Sequence, residues 1–504
     1  NTGYITFAGS SVVSEAIGGT YAFNTITTTA NSTASLQGGV NAQTLVFNGD
    51  VLFGSNTTIT NGINFGANSG GLTLDSSAGD ATLTALVTTS TNNKGALTIQ
   101  GGNTFTAINQ IGSSGKVLSS VTVADSSNAS FSSAVYATDL TVGDGSATFG
   151  GNVFGDITLH SGLVTISDGV DVAGNINNGD GAGSGDVVLS GSSTISGLVG
   201  NANAFNSITA GASTKTATFS SAVKANTILA GAGTIIFNET VTGDAHFTAD
   251  GDIQINNNTL KGNIDNKTNI SGKGTLTLTG IATVNGDIGA TDSLKVINAG
   301  ASGDTSFFNG TVHASTITIG QGTVNFGKNV TGDINISVGA ITLANGANIT
   351  GNIDDLVGGS TLRLYGSSTI DGVVGVSNSL SSITAGAANS TSTFNSAVKA
   401  DTISTAAGTI IFGDDVAANI NFSADGILQV AGDLDGNVDN KSGTSNRGTV
   451  NLTGTGTVTG ALGTTKSLKS VSAGATGYST TFDGAINATT VAIGGGSASF
   501  AEGI

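Results

Sequence analysis

The sequence predicts an all-β fold, an elongated parallel β-helix (β-solenoid). Three observations predict it: the chain repeats itself, its apolar residues alternate in short runs, and it contains no proline. Ser221-Ala222-Val223-Lys224-Ala225-Asn226-Thr227-Ile228 returns as Ser396-Ala397-Val398-Lys399-Ala400-Asp401-Thr402-Ile403, 175 positions later. Gly262-Asn263-Ile264-Asp265 returns as Gly351-Asn352-Ile353-Asp354, and Ala210-Gly211-Ala212-Ser213 as Ala299-Gly300-Ala301-Ser302, both shifted by 89. A period of about 88 residues is the mark of stacked architecture. It divides the chain into approximate repeats 17–105, 106–193, 194–282, 283–368 and 369–456, with a partial copy at 457–504. No charge block or change of texture marks a domain boundary, so a single continuous solenoid over 1–504 is expected.

Within a copy, Thr234-Ile235-Ile236-Phe237, Thr275-Leu276-Thr277-Leu278 and Thr316-Ile317-Thr318-Ile319 alternate with period two, the pattern of a half-buried strand. Glycine, Asn and Asp bound these runs, and no segment carries a sustained helical stripe. Phenylalanines also recur in pairs 18 residues apart: Phe131 and Phe149, Phe219 and Phe237, Phe308 and Phe326, Phe394 and Phe412, Phe482 and Phe500. One coil of about 18 to 22 residues would set each pair one ring above the other as a core stack, with four to five coils per repeat. At a rise of about 4.8 Å per coil, the chain would make a rod of roughly 110 to 135 Å. Nearly every strand of such a rod has a neighbour on both sides, so a proline would delete a ladder hydrogen bond almost anywhere. A β-sandwich array, the competing fold, would show linkers and Pro or Trp landmarks that this chain lacks.

The most repeated polar phrase is Gly-[Asp/Asn]-[Ile/Val]. It stands at Gly155-Asp156, Gly174-Asn175, Gly262-Asn263, Gly286-Asp287, Gly332-Asp333, Gly351-Asn352 and Gly436-Asn437. A slot that takes Asp or Asn alike is read as a structural corner, because both side chains cap turns and only one is charged.

Composition narrows the function. Nucleic-acid binding is excluded by a net charge of −18, with only 15 Lys and Arg, five Tyr and no Trp to form a basic stripe with stacking aromatics. The absence of cysteine removes disulfides, thiolate metal sites and thiol nucleophiles. No methionine is present, so residue 1 is not a translation start and a mature or internal piece is expected. No stretch approaches 18 uninterrupted apolar residues, so no membrane-spanning helix is expected.

Candidate chemistry is sparse. His160, His246 and His313 share no repeat position; His313 aligns with Lys224 and Lys399, which marks an outward slot. The segment from Asn178 to Val187 is the nearest approach to a glycine/aspartate calcium repeat, with Asp180 and Asp186 as candidate calcium ligands. It occurs once, where a calcium roll needs tandem copies, and a flexible protruding loop is the alternative. No other cofactor is expected. A polysaccharide-degrading β-helix would need acids clustered in one groove, whereas the acids here fall at repeated corners.

The phrases Val284-Asn285-Gly286-Asp287-Ile288-Gly289-Ala290-Thr291-Asp292-Ser293-Leu294 and Val324-Asn325-Phe326-Gly327-Lys328-Asn329-Val330-Thr331-Gly332-Asp333-Ile334 resemble the passenger repeats of rickettsial surface-antigen autotransporters of the outer-membrane protein A and B type. That resemblance implies a passenger exported through a C-terminal β-barrel and held at the bacterial cell surface as an adhesin or protective coat, its partner the host-cell surface. An extracellular filament or layer is the alternative, with copies of the chain joined through open strand edges at their terminal coils.

Overall fold

The computed structural model describes residues 3–54 and 62–502. Among them there is no α-helix, and the strand pairings are parallel. The fold is an all-β parallel solenoid, as the alternating runs predict. It divides into two compact units, 1–253 and 254–504.

In the first unit, Leu118–Val123 pairs with Val135–Val142, which pairs with Val153–Leu159. The short strand Asn128–Phe131 pairs with Ser146–Phe149, and that with Leu163–Ile166. A third line of contact runs through single parallel bridges, Val87 to Ile111, Ile111 to Val135 and Val153 to Val172. Each coil therefore lays down three short runs, and each run stacks on its counterpart one coil earlier.

The second unit repeats the plan. Leu294–Ala299, Val312–Ile319 and Val330–Ile336 stack in one series. Ile281–Val284, Thr305–Phe308, Thr323–Phe326 and Ala340–Leu343 stack in another.

Alternation decides which side chains face inward. In Val312–Ile319, Val312, Ala314, Ile317 and Ile319 are buried, while His313, Ser315 and Thr316 face out. The inward phase shifts by one residue between Ala314 and Ile317 because the strand bends there: its register with Val330–Ile336 slips between His313 and Thr316, a bulge that turns one strand across two faces. The same slip occurs in the first unit between Tyr136 and Asp139.

The phenylalanine pairs stack in the interior. Ring centroids lie 5.1 Å apart for Phe131 and Phe149, 5.2 Å for Phe219 and Phe237, 5.4 Å for Phe308 and Phe326, and 5.2 Å for Phe394 and Phe412, with planes within 20° of parallel. Phe482 and Phe500 stack at 5.2 Å, but Phe500 is only half-buried because no further described coil covers it.

Coil length is more variable than the expected 18 to 22 residues. Register advances 17 residues from Val324 to Ile341 and 24 from Ala282 to Ser306. The difference is taken up by outward loops, where a few added residues cost little closure entropy.

Candidate functional surfaces

The corner phrases form acceptor ladders. Asp156 Oδ1 accepts the backbone N–H of Asn175 at 2.9 Å, and Asn175 Oδ1 accepts that of Leu198 at 2.8 Å. In the second unit Asn263 accepts from Asp287 and Asp287 from Thr311; Asp333 accepts from Asn352 and Asn352 from Val373. Asn419 accepts from Asn437, and Asn437 from Ala461. Every link needs one carbonyl-type oxygen and no charge, so Asp and Asn exchange freely.

A second ladder, not anticipated, runs along another corner. Asn152 accepts from Asp171 and Asp171 from Thr194; Asn329 accepts from Asn348 and Asn348 from Thr369. These are structural devices, and in them Asp156, Asp171, Asp287 and Asp333 serve as backbone acceptors.

The glycines are fixed for a separate reason. Gly155 and Gly332 sit at the bulges with φ of 146° and 137°, and a Cβ there would lie 1.8 and 1.9 Å from the carbonyl oxygens of Ala137 and Ala314. Only glycine combines that torsion with that approach.

One further slot recurs. Two residues beyond the Gly-Asn-[Ile/Val] phrase, Asn178, Asn266, Asp355 and Asn440 are buried polar residues, and each ties down an outward loop. Asn178 Nδ2 donates to the carbonyls of Gly181, Ser184 and Ala204. Asn266 Nδ2 donates to Ile270 and Ser293, and Asn440 Nδ2 to Thr444 and Ser467. Asp355 accepts instead, from the N–H groups of Gly358 at 2.8 Å and Ser360 at 2.9 Å. Satisfying loop backbone from within the wall lets a loop leave the coil without orphaned polar groups. The sequence signal was present: the phrase recurs over five residues, and a buried Asn reads like a surface one.

In the second unit these pinned loops carry exposed apolar side chains, Ile270, Leu356 and Val357, at 60%, 47% and 67% exposure. Basic residues of this unit are paired with carboxylates. Lys267 pairs with Asp265 at 2.7 Å and Lys441 with Asp439 at 2.7 Å, while Lys469 reaches Asp425 at 3.2 Å.

Asp265 and Asp439 lie under the loops with side chains 9% and 6% exposed. Burial would raise their carboxyls, but hydrogen bonds from Lys267 and Thr291, and from Lys441 and Thr465, outweigh it and hold both below the usual carboxylate range. The unfolded chain binds more protons than the native one in the window beneath an ordinary Asp pKa of about 3.9. Stability from these pairs is therefore full above that value and is lost as pH falls below about 4. Circular dichroism across an acid titration should show cooperative loss of β signal in that window, and the double variant D265N/D439N should show a flatter acid dependence.

The remaining candidates separate. Asp180 lies in the loop after Asn178 and meets His160 Nδ1 at 2.9 Å. Asp186 lies on the strand Ser184–Leu189 and accepts from Asn206 and Ser207. The two candidate calcium ligands thus engage different partners, and among the described residues no three His, Asp or Glu side chains gather as a metal site. Asn178 stitches the segment into a turn that runs into that strand. His246 and His313 face outward and are half-buried. The slot of His313, Lys224 and Lys399 holds Tyr136 in an earlier copy, stacked on Phe154 at 4.3 Å.

Among the described residues, no helix is long and apolar enough to cross a membrane. No family model and no solved structure matches the chain. In sequence it is similar to Outer membrane protein A of Rickettsia rickettsii, with 29% identity over 547 aligned residues, covering 97% of this chain and 22% of that protein. The resemblance read from the repeat phrases therefore extends along nearly the whole chain. The chain spans about a fifth of the length of that relative.

Proposed function

We propose that this chain, a relative of a rickettsial outer membrane protein A, is a structural protein of the bacterial cell surface whose solenoid presents an adhesive face. It acts by contact rather than by turnover. The observation that carries the adhesive reading is the set of pinned loops. Ile270, Leu356 and Val357 are large apolar side chains held out in water on loops that Asn266 and Asp355 fasten to the wall. Exposed apolar groups on rigid supports are how a surface prepays the ordering cost of binding.

Beads coated with the purified chain should adhere to cultured host cells, and the triple variant I270S/L356S/V357S should reduce adhesion severalfold while leaving the circular dichroism spectrum unchanged. Equal adhesion by the variant would move the contact elsewhere. Beads that never adhere, together with regular filaments of the chain in electron micrographs, would make self-assembly the function instead.

A further inference from the structure

In the second to fifth repeats, five-residue runs at 186–190, 275–279, 361–365 and 449–453 occupy one repeat slot. They read Asp-Val-Val-Leu-Ser, Thr-Leu-Thr-Leu-Thr, Thr-Leu-Arg-Leu-Tyr and Thr-Val-Asn-Leu-Thr. The second and fourth residues are inward and buried in every copy. The outward third and fifth are small or medium in three copies: Val188 and Ser190, Thr277 and Thr279, Asn451 and Thr453. In the remaining copy they are Arg363 and Tyr365. Nothing in the core asks for this change, since Leu362 and Leu364 fill the interior as their counterparts do.

Arg363 stands in register between Thr342 on one neighbouring strand and Thr384 on the other. Its guanidinium carbon lies 5.7 Å from the centroid of the Tyr365 ring, which is 60% exposed. Together with Thr342, Thr361, Ser382 and Thr384 they line a shallow groove of about 250 Å³ on the outer face. No lining residue is acidic. Among the described residues Arg363 makes no salt bridge, although Asp265, Asp425 and Asp439 each hold a cation elsewhere in this unit. An uncompensated guanidinium on a chain of net charge −18 is a local reversal of sign.

We propose that this groove is a subsite for a carboxylate-bearing sugar residue of a glycan. A guanidinium presents a planar fork of N–H donors that matches a carboxylate, and the ring beneath one face leaves the in-plane donors available. An exposed tyrosine ring offers the flat apolar surface on which the C–H face of a pyranose rests, and its hydroxyl a polar edge. The rows of Thr and Ser hydroxyls on adjacent coils, each able to donate and accept, suit the hydroxyls of a sugar. The groove is too shallow and too polar to favour an apolar ligand. A single cation within an acidic chain selects one carboxylate over a polyanion, which the overall field repels. The proposal deepens the adhesive reading and rests on it for its biological use.

The test is calorimetric titration of the full chain with 3′-sialyllactose, with a hyaluronan tetrasaccharide and with lactose. At least one acidic probe should bind about tenfold or more tightly than lactose, the range expected for a charge-assisted pair. R363A should bring that probe down to the lactose level, R363K should restore part of the binding, and Y365A should weaken it severalfold. The preferred probe tells whether a terminal sialic acid or a chain uronate is the source of the carboxylate. Equal binding of all three sugars, or unchanged binding by R363A, overturns the subsite. The bead assay separates the two readings. Adhesion without Arg363-dependent sugar binding removes the subsite and leaves the adhesive role, and Arg363-dependent binding without adhesion does the reverse.

Discussion

Replacing Phe308 by alanine is expected to cost about 3–5 kcal/mol, the range for emptying a buried aromatic site in a close-packed core. The ring is 1% exposed and lies against Phe326, itself 1% exposed, at 5.4 Å with planes 13° apart. About 0.5–1.5 kcal/mol of the loss belongs to the pair itself. The single variants F308A and F326A should therefore be non-additive in the double variant by that amount. In stacked repeats stability is close to a sum of neighbour terms, so the damage stays local. Hydrogen exchange should accelerate in Ile281–Val284, Thr305–Phe308, Thr323–Phe326 and Ala340–Leu343 while Val438–Asn440 keeps its protection. Uniform acceleration through the second unit would show that its coils do not contribute separately.

That expectation follows from a spacing visible in the sequence. In a parallel solenoid the residue one coil later is the residue one strand above, so Phe308 and Phe326 could be matched by counting, and the structure pairs them directly. Alternation named the inward residues for the same reason, because a strand has only two faces. Corner glycines were legible because they recur with a polar neighbour. Other features are not legible, the second acceptor ladder among them. Coil length varies because outward loops absorb residues without disturbing the ladders, and a single expected period averages over them. The loop pins at Asn178, Asn266 and Asn440 escaped because burial is not written in the letter Asn: in a chain rich in this residue, the few that enter the wall look like the many that face water. The Arg363–Tyr365 pair is not legible from the repeat because it departs from it: no other copy of the slot carries either residue.

The corner offers the sharpest separation of backbone from side-chain roles. Gly332→Val is expected to abolish folding of its coil. The torsion of 137° lies in a region that costs a non-glycine residue roughly 1–3 kcal/mol, and the added Cβ would stand 1.9 Å from the Ala314 carbonyl oxygen, backbone that cannot move without breaking the bulge. Its neighbour should behave differently. Asp333→Asn keeps an Oδ1 for the Asn352 N–H, bonded at 2.9 Å, and should change stability by less than about 0.5 kcal/mol. Asp333→Ala removes the acceptor and should cost about 1 kcal/mol. Urea unfolding of the three variants should rank them Val far below Ala, and Ala below Asn. If the Asn variant loses as much as the Ala variant, charge and not acceptor geometry holds the corner, and the free exchange of Asp with Asn along the ladder loses its explanation. If the order holds, the two halves of the repeated phrase answer to different constraints: the glycine to the torsion and approach that the bend imposes, the acid or amide only to the next coil's need for an acceptor.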